Sequence, residues 1–429
     1  MMKNNEKEKR SLLIRRASLN GRNVDMEIID GRFARIQDVI TDSLAEEVLD
    51  ADNMLAFPPF YNCHAHSSMV LLRGLADDLE LFTWLNEHIW PVEAQLTPDD
   101  IFVGTRLAAL EMIKSGTVFF NDSYFFPTYL ARGAEEMGMR ASISLCRIDL
   151  VAPAVIERKA MEAEKFFDAW QKGEYSSRIT VNHNPHSIDG VNEKGLREEA
   201  ERSAATGLPV HIHLAETQRE VQECRDAHGG LTPVEYLKEV GLLNERARLA
   251  HCVWLTPGDI DLIAESGAVV VVNATSNLKL VSGMCPVDAL MKAGAKVTLG
   301  TDGCASNNAH SMFSEMKMAA LVAKIQSGDP TAGAAPDIFR AATTAGARAF
   351  VPDGGEIAVG KVADMMLINP EKPYFVGDYN WESNLVYAGE SDCVDTLLCD
   401  GRILMRNRIV PREAEIIDAA RKDCDRFRQ

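Results

Sequence analysis

The chain has 429 residues, of which 46% are hydrophobic and 25% are charged, and its formal net charge at pH 7 is −18. This balance is typical of a globular protein and differs from that of a disordered chain. The acidic charge argues against nucleic acid as a partner, because phosphate binding needs a basic surface. The longest apolar runs, such as residues 268–272, are far shorter than the roughly 20 residues of a membrane span, so no membrane partner is expected.

The cysteines and the N-terminal segment indicate a cellular compartment. Nine cysteines are scattered along the chain without a paired C-x-x-C spacing. This pattern predicts neither a disulfide framework nor a thiolate zinc site, and it suits a reducing environment. The start, MMKNNEKEKRSLLIRRA, is charged and lacks the apolar core and cleavage site of a secretory signal. We therefore expect a cytoplasmic protein.

Short strands are predicted at both ends of the chain. Near the N-terminus, three segments alternate loosely between apolar and polar residues and turn at Asn-Gly and Asp-Gly pairs. Toward the C-terminus, the segments GEIAVGKVADMMLIN and VDTLLCDGRILMRNRIV return to strand patterns. We predict that residues 1–56 pair with residues 351–429 in one small β-sandwich domain, and that the second stretch ends in a helix.

Residues 57–350 alternate short apolar strands with segments of helical periodicity. Eight strand-then-helix units over about 300 residues is the count expected of a closed parallel barrel. The predicted fold class is therefore α/β, a (β/α)8 TIM-like barrel beside the small β-sandwich. The eight candidate strands cover residues 54–62, 117–122, 140–146, 178–183, 209–214, 247–252, 268–273 and 296–302.

Chemically capable side chains fall at the carboxyl ends of these strands, where barrel enzymes keep their active sites. The first strand leads into His64 and His66, the fifth ends in His213, and the eighth ends in Asp302. Two histidines at i and i+2 on extended backbone point the same way, so both imidazoles can bind one ion. Three imidazoles and a carboxylate suit one divalent metal, with Zn²⁺ as the first choice and Fe²⁺ as the alternative.

The metal hypothesis depends on the conjunction of these residues. A single histidine at a strand end is more often a structural residue than a ligand. Here, however, six of the ten histidines lie at predicted strand ends, and these are residues 64, 66, 183, 186, 213 and 251. Such clustering favours a metal site over a set of unrelated packing histidines.

Several motifs point to one known family. PPFYNCHAHSSMVLLRGLADDL, HIHLAET, LAHC, SNLKL and TLGTDG occur in this order. They resemble the motifs of the amidohydrolase superfamily in its aminohydrolase branch. Within that branch the chain most resembles the methylthioadenosine/S-adenosylhomocysteine deaminases, with the triazine chlorohydrolases as relatives. The likeness runs from about residue 55 to residue 350, and GEIAVGKVADMMLIN is also typical of the family's β domain.

The resemblance implies a set of catalytic roles. The four residues named above match the family's metal ligands, and Asp302 is implied to be both ligand and base. Glu216, in HLAE, matches the acid that transfers protons, and His251 matches the histidine that polarises or orients the attacked ring carbon. Members with two metals bridge them through a carboxylated lysine at the end of strand 4. Here that strand ends VNHNPHS, without a lysine, so one metal is implied.

The resemblance also implies substrate contacts. His186, in NPHS, matches a substrate-binding histidine, and Glu93, in WPVEAQLT, matches the acid that binds ribose hydroxyls in nucleoside deaminases. Arg147 and Arg158 are the nearest matches, each with a shift or gap, to two arginines that hold the substrate's tail. The predicted reaction is hydrolytic deamination of an amino-substituted aromatic ring, foremost a 6-aminopurine nucleoside such as 5′-methylthioadenosine, S-adenosylhomocysteine or adenosine.

Other functions stay open at this stage. The same fold could serve a deaminase of a free base or pterin, or a hydrolase of a triazine or cyclic amide, and the released product would distinguish them. A non-catalytic binding protein is the second alternative, and a metal assay tests it. A small molecule is the expected partner, and the sequence leaves open whether the chain forms a homo-oligomer.

Overall fold

A computed structural model describes residues 11–79, 83–149 and 153–427, and for residues 153–159 it describes the backbone alone. Its strands are, in chain order, β1 (Ser11–Leu19), β2 (Arg22–Ile29), β3 (Arg32–Gln37), β4 (Glu47–Asp50), β5 (Leu55–Phe57), β6 (Phe60–His66), β7 (Thr117–Asp122), β8 (Arg140–Arg147), β9 (Ile179–Pro185), β10 (Val210–Leu214), β11 (Ala247–His251), β12 (Val269–Val272), β13 (Lys296–Leu299), β14 (Asp302–Gly303), β15 (Met365–Ile368), β16 (Val394–Cys399) and β17 (Arg402–Met405).

Most of the helices alternate with the strands from β6 to β14. The α-helices are α1 (Trp90–Glu93), α2 (Pro98–Lys114), α3 (Pro127–Glu136), α4 (Pro153–Gln171), α5 (Glu193–Thr206), α6 (Gln218–Ala227), α7 (Pro233–Glu239), α8 (Pro257–Ser266), α9 (Ala274–Lys279), α10 (Val287–Lys292), α11 (Met312–Ser327), α12 (Ala335–Ala342), α13 (Thr344–Phe350), α14 (Trp381–Tyr387) and α15 (Glu413–Phe427). Short 3₁₀ turns cover Ser67–Leu72, Pro373–Phe375 and Ser391–Cys393, and a π-helical turn covers Trp84–Ile89.

One sheet joins the two ends of the chain. Its strand order is β17-β16-β15-β5-β1-β2-β3, with β4 beside β1. The β1–β2 and β2–β3 hairpins turn at Asn20-Gly21 and Asp30-Gly31, where all four residues have positive φ, as a type I′ turn requires. The sheet carries its own apolar cluster, separate from the barrel core. The prediction of a small β domain built from both chain ends is confirmed, whereas the boundaries at residues 56 and 350 remain predictions.

The second sheet is a closed ring of parallel strands. Its order is β13-β12-β11-β10-β9-β8-β7-β6-β14, and β13 and β14 are two parts of one strand, interrupted at Gly300 and Thr301. Because β14 pairs with β6, with Asp302 opposite Ala65, the eighth strand closes on the first. A Cβ at Gly300 would lie 2.7 Å from the backbone nitrogen of His64, so only glycine permits this close approach. The predicted (β/α)8 barrel is confirmed.

The first barrel strand differs from its prediction. Residues 54–62 were expected to form a single strand, but the structure divides them between β5 in the small sheet and β6 in the barrel. Pro58 and Pro59 separate the two strands, because proline has no N–H to donate to a ladder. As a result β6 begins later and extends through His64 and His66.

The barrel core lies between the strands and the surrounding helices, and the C-terminal helix packs on its outer side. Ile416 and Ala420 of α15 are buried, and the Arg426 guanidinium contacts both carboxylate oxygens of Asp100, at the start of α2, at 2.7 Å. Across the described ranges, no helix combines the length and apolarity needed to cross a bilayer.

Candidate active site

The carboxyl ends of the barrel strands bring together four of the predicted residues. The Nε2 atoms of His64 and His66 lie 3.3 and 3.2 Å from the same oxygen, Asp302 Oδ1. His213 Nε2, from β10, lies 3.4 Å from His66 Nε2. Ligands at 2.0–2.1 Å from a tetrahedral zinc ion would lie roughly 3.4 Å from one another. The spacing of these side chains therefore fits a single bound ion.

Hydrogen bonds at Nδ1 of His66 and His213 determine which nitrogen of each ring faces the candidate metal site. His66 Nδ1 lies 2.5 Å from the carbonyl oxygen of Ser123, and His213 Nδ1 lies 2.7 Å from that of His186. A carbonyl only accepts, so each Nδ1 carries a proton and each Nε2 of the neutral ring presents a lone pair. Two lone pairs that face each other at 3.4 Å repel unless a cation lies between them, which supports the metal interpretation.

The surroundings of His64 also show whether these side chains fit a metal ion. Its Nδ1 atom lies 2.8 Å from His211 Nε2, and its Nε2 atom is buried and makes no hydrogen bond. Leaving a buried polar nitrogen unsatisfied is costly, and a metal bond would satisfy it. Such outer hydrogen bonds are the usual means by which a protein orients its metal-binding imidazoles.

Asp302 is held so that one oxygen faces the histidines. Its other oxygen, Oδ2, accepts hydrogen bonds from the hydroxyls of Ser276 at 2.6 Å and Ser306 at 2.8 Å. Burial by itself would raise the pKa of this carboxyl, but the adjacent imidazoles of His64 and His66 hold the pKa well below its usual value. The group is therefore an ionised carboxylate, as a metal ligand must be.

Glu216 and His251 face each other beside this centre. Glu216 Oε2 lies 3.7 Å from His251 Nε2, and Glu216 Oε1 accepts a hydrogen bond from Ser282 at 3.1 Å. Burial and the nearby charge of Asp302 raise the pKa of Glu216 to about 7. Burial lowers the pKa of His251 to about 4, so this ring is neutral at physiological pH. A carboxyl that titrates near neutrality is suited to giving and taking protons.

Two of the predicted substrate contacts are connected to the candidate metal ligands, His186 directly and Glu93 through Tyr124. The imidazole of His186 is stacked at an angle against that of His213, with ring centroids 4.5 Å apart. Glu93, at the end of α1, accepts a hydrogen bond of 2.5 Å from the Tyr124 hydroxyl. The ring of Tyr124 is buried and lies 6.2 Å from that of His66. Glu93 is thus connected through Tyr124 to the β6 side of the centre.

Arg147 occupies different surroundings. Its guanidinium contacts three carboxylates, Asp149 at 3.0 Å, Glu198 at 2.8 Å and Glu199 at 3.4 Å. It lines a cavity of about 520 Å³ between β8, α4 and α5, and none of the four candidate metal ligands lines that cavity. His183, one of the six strand-end histidines, contacts Glu199 there at 3.1 Å. The side chain of Arg158 lies outside the described residues.

Several groups that support the site carry little signal in the sequence. Ser123 and Tyr124 follow β7, Ser276 and Asn277 begin α9, and Ser306 follows β14. The Asn277 amide nitrogen lies 2.8 Å from His251 Nδ1 and orients that ring. The motif SNLKL contains Ser276 and Asn277 and was therefore a signal for two of these groups. Hydroxyl residues are common in loops, so the others gave no distinctive signal.

Comparison with known proteins places this arrangement in a family. The family model described as the amidohydrolase family matches residues 55–404. The 5′-deoxyadenosine deaminase of Methanothermobacter thermautotrophicus is 44% identical over 380 residues, which cover 89% of this chain and 88% of the relative. The 5-methylthioadenosine/S-adenosylhomocysteine deaminase 1 of Archaeoglobus fulgidus is 40% identical over 387 residues, covering 89% of this chain and 90% of the relative.

A solved structure agrees over nearly the whole chain. The adenosine deaminase of Xanthomonas campestris, crystallised with bound zinc, superposes with a TM-score of 0.91 at 32% identity. The match covers 97% of this chain and 98% of that one. The resemblance stated from the motifs is confirmed, and so is the predicted enzyme class. The chain belongs to the amidohydrolase family and is a metal-dependent hydrolase of carbon–nitrogen bonds other than peptide bonds.

Proposed function

We propose that this protein is a zinc-dependent hydrolytic deaminase of adenine nucleosides, with neutral nucleosides as the preferred substrates. The observation that carries the proposal is the convergence of His64, His66, His213 and Asp302 beside a partly buried carboxyl, Glu216, with a raised pKa. The relatives named as deaminases of adenine nucleosides support the choice of reaction.

The four ligands would hold one Zn²⁺ ion. Imidazole nitrogens and a carboxylate oxygen are a borderline donor set that suits zinc or iron, and the related adenosine deaminase was crystallised with zinc. When bound, a divalent ion acts as a Lewis acid and lowers the pKa of its water from about 16 toward about 7.

The chain's own residues carry out the proton transfers. Asp302 accepts a proton from the attacking water, while the neutral His251, oriented by Asn277, directs the nucleophile to the amino-bearing ring carbon. Glu216 donates a proton to the adjacent ring nitrogen, which leaves a tetrahedral carbon. The amino group then takes the proton that Asp302 accepted from water and leaves as ammonia, while the hydroxyl proton on the tetrahedral carbon returns to Glu216. The 6-amino group is thus replaced by an oxygen that derives from water.

The surrounding side chains favour a nucleoside without a charged tail. Glu93 offers a carboxylate to the paired ribose hydroxyls, and His186 lies against the metal ligand His213. Arg147 is engaged by three carboxylates, which leaves it poorly placed to bind the amino-acid carboxylate of S-adenosylhomocysteine. 5′-Deoxyadenosine, 5′-methylthioadenosine and adenosine are therefore the favoured substrates.

An ammonia-release screen tests this proposal and its alternatives together. The zinc-loaded protein would be assayed with the three neutral nucleosides, S-adenosylhomocysteine, guanine, cytosine, a pterin and an aminotriazine. We expect ammonia from the neutral nucleosides at the highest kcat/KM. Turnover of a free base or triazine with none on nucleosides would contradict the nucleoside assignment, and bound zinc without any turnover would favour a binding protein.

Metal content provides a simple prediction. The protein purified from zinc-supplemented medium is expected to contain about one equivalent of Zn²⁺, since the four ligands surround one position. Removal of the metal with a chelator should abolish most activity, and added zinc should restore it. Elemental analysis paired with the ammonia assay measures both. Two tightly bound equivalents would contradict the single-metal site, and full activity without metal would contradict the metal-dependent mechanism.

The role of Glu93 leads to a prediction about KM. In E93Q the ribose hydroxyls lose a charged acceptor, and hydrogen bonds to charged groups contribute about 1.5–3 kcal/mol. We expect kcat/KM for nucleosides to fall about 10- to 100-fold, mainly through KM, with unchanged zinc content. E87Q, which alters an exposed glutamate of the preceding helical turn, is the matched control. An E93Q protein with wild-type KM would show that Glu93 does not bind the ribose.

A further inference from the structure

We propose that Glu220 is a positioning residue, whose buried carboxyl group fixes the backbone that carries Glu216. Glu220 Oε1 accepts a hydrogen bond from the Ala215 N–H at 2.7 Å, and Oε2 accepts one from the Glu216 N–H at 2.8 Å. Both oxygens therefore hold the peptide units immediately before the side chain that transfers protons. The inference rests on the proton-transfer role proposed above for Glu216.

The helix that contains Glu220 begins differently from three other helices of the barrel. Helices α2, α7 and α8 each start with a threonine whose hydroxyl accepts the N–H of an acidic residue three positions later. In each, that acid returns a hydrogen bond to the N–H of the threonine, which completes a capping box. The three pairs are Thr97 with Asp100, Thr232 with Glu235, and Thr256 with Asp259.

Helix α6 has the same sequence pattern, but its acidic residue, Glu220, has different hydrogen-bond partners. The Thr217 hydroxyl accepts the Glu220 N–H at 3.1 Å, as in the other helices. The Glu220 carboxyl group, however, extends beyond Thr217 to the two preceding residues. A residue that would ordinarily stabilise only its own helix thus binds the loop that carries Glu216.

The backbone at this point needs external support. Ala215 has a φ of +51°, a left-handed conformation that residues with a Cβ rarely adopt. Its carbonyl oxygen accepts N–H groups from Val253 at 3.0 Å and Trp254 at 2.9 Å, while its N–H is held by Glu220. The peptide is therefore fixed on both sides, between the end of β10 and the loop after β11.

The Glu216 side chain is held at its far end as well. Its carboxyl accepts the Ser282 hydroxyl, and Ser282 in turn accepts, through its carbonyl oxygen, the Trp254 indole N–H at 2.6 Å. Glu220 holds the backbone of Glu216, and Ser282 holds its carboxyl group. Loss of either anchor would let the carboxyl move, and displacement of a reacting group by about 1 Å can reduce a rate by roughly 100-fold.

The test compares E220Q with E235Q. Glutamine keeps one acceptor but presents an NH₂ group to the second N–H, so E220Q loses one of the two hydrogen bonds. The matched control alters Glu235, which occupies the same position in α7 but holds only its own helix. With kcat expressed per bound zinc, we expect E220Q to be about 10- to 100-fold slower with KM and zinc content near wild type, and E235Q to be unchanged.

A double variant separates positioning from general destabilisation. If Glu220 acts through Glu216, then E216Q/E220Q should be no slower per bound zinc than E216Q alone, because the group to be positioned is already lost. An E220Q protein with wild-type kcat, or a double variant slowed further by the full E220Q factor, would overturn the positioning role. An E216Q protein with wild-type kcat would overturn the proton-transfer role and this inference with it.

Discussion

Replacement of Glu216 by glutamine is expected to lower kcat by about 100-fold or more, the range for removal of a proton-transfer group, while zinc content stays at the wild-type level. Glu216 is partly buried beside Asp302, and desolvation together with the charge of Asp302 raises its pKa to about 7, so it can both hold and release a proton near neutrality. Glutamine has a similar volume but cannot transfer a proton. Initial rates of ammonia release and elemental analysis of the same preparation measure the two quantities.

A suitable control for this variant is E223Q, which alters an exposed glutamate of α6 that forms an ion pair with Arg219. E223Q should have wild-type activity. If E216Q turned over nucleosides at the wild-type rate, another group would have to deliver the proton to the ring. Loss of zinc from E216Q would instead indicate that Glu216 supports the metal site.

Replacement of His64 by alanine is expected to remove metal and activity together. The Nε2 atom of His64 is buried and lacks a hydrogen-bond partner, and its loss leaves the site with two imidazoles and one carboxylate. Because binding to the folded state stabilises it, zinc should raise the melting temperature of the wild type and have little effect on that of H64A. Zinc analysis after dialysis and thermal melting with and without zinc measure these effects.

The control for this variant is H228A, since His228 stacks on Tyr236, with ring centroids 3.6 Å apart, at the end of α6. H228A should bind zinc and respond to it as the wild type does. An H64A protein that kept about one equivalent of zinc and substantial activity would contradict the proposed ligand set, and the ion would then have to be held elsewhere.

Much of the barrel could be predicted because the strands are short, apolar and well separated. The segments around β7, β10 and β11 were placed to within one residue. The first strand was extended wrongly across Pro58 and Pro59, since the apolar pattern continues through a point where the chain passes from one sheet to the other. Hydrophobic periodicity indicates which residues are buried, but it does not indicate which sheet a strand joins.

The candidate site was predictable where residue type and strand position coincide. Histidines at i and i+2 on one strand must share a face, so His64 and His66 converge regardless of the loops around them. The direction of Arg147 could not be foreseen, because it depends on the carboxylates that α5 places beside β8. Likewise the sequence pattern of Thr217 and Glu220 predicts an ordinary capping box, and only the left-handed turn at Ala215 directs Glu220 toward Glu216.

We propose that the chain uses a single metal to deaminate adenine nucleosides. The decisive measurement is to incubate apo and zinc-reconstituted protein with 5′-deoxyadenosine and to measure ammonia and the purine product in the same samples. We expect one ammonia per nucleoside consumed, with the 6-amino group replaced by oxygen, only in the sample reconstituted with about one equivalent of zinc. Absence of ammonia from 5′-deoxyadenosine, 5′-methylthioadenosine and adenosine in the zinc-loaded sample, or equal rates with and without metal, would contradict it.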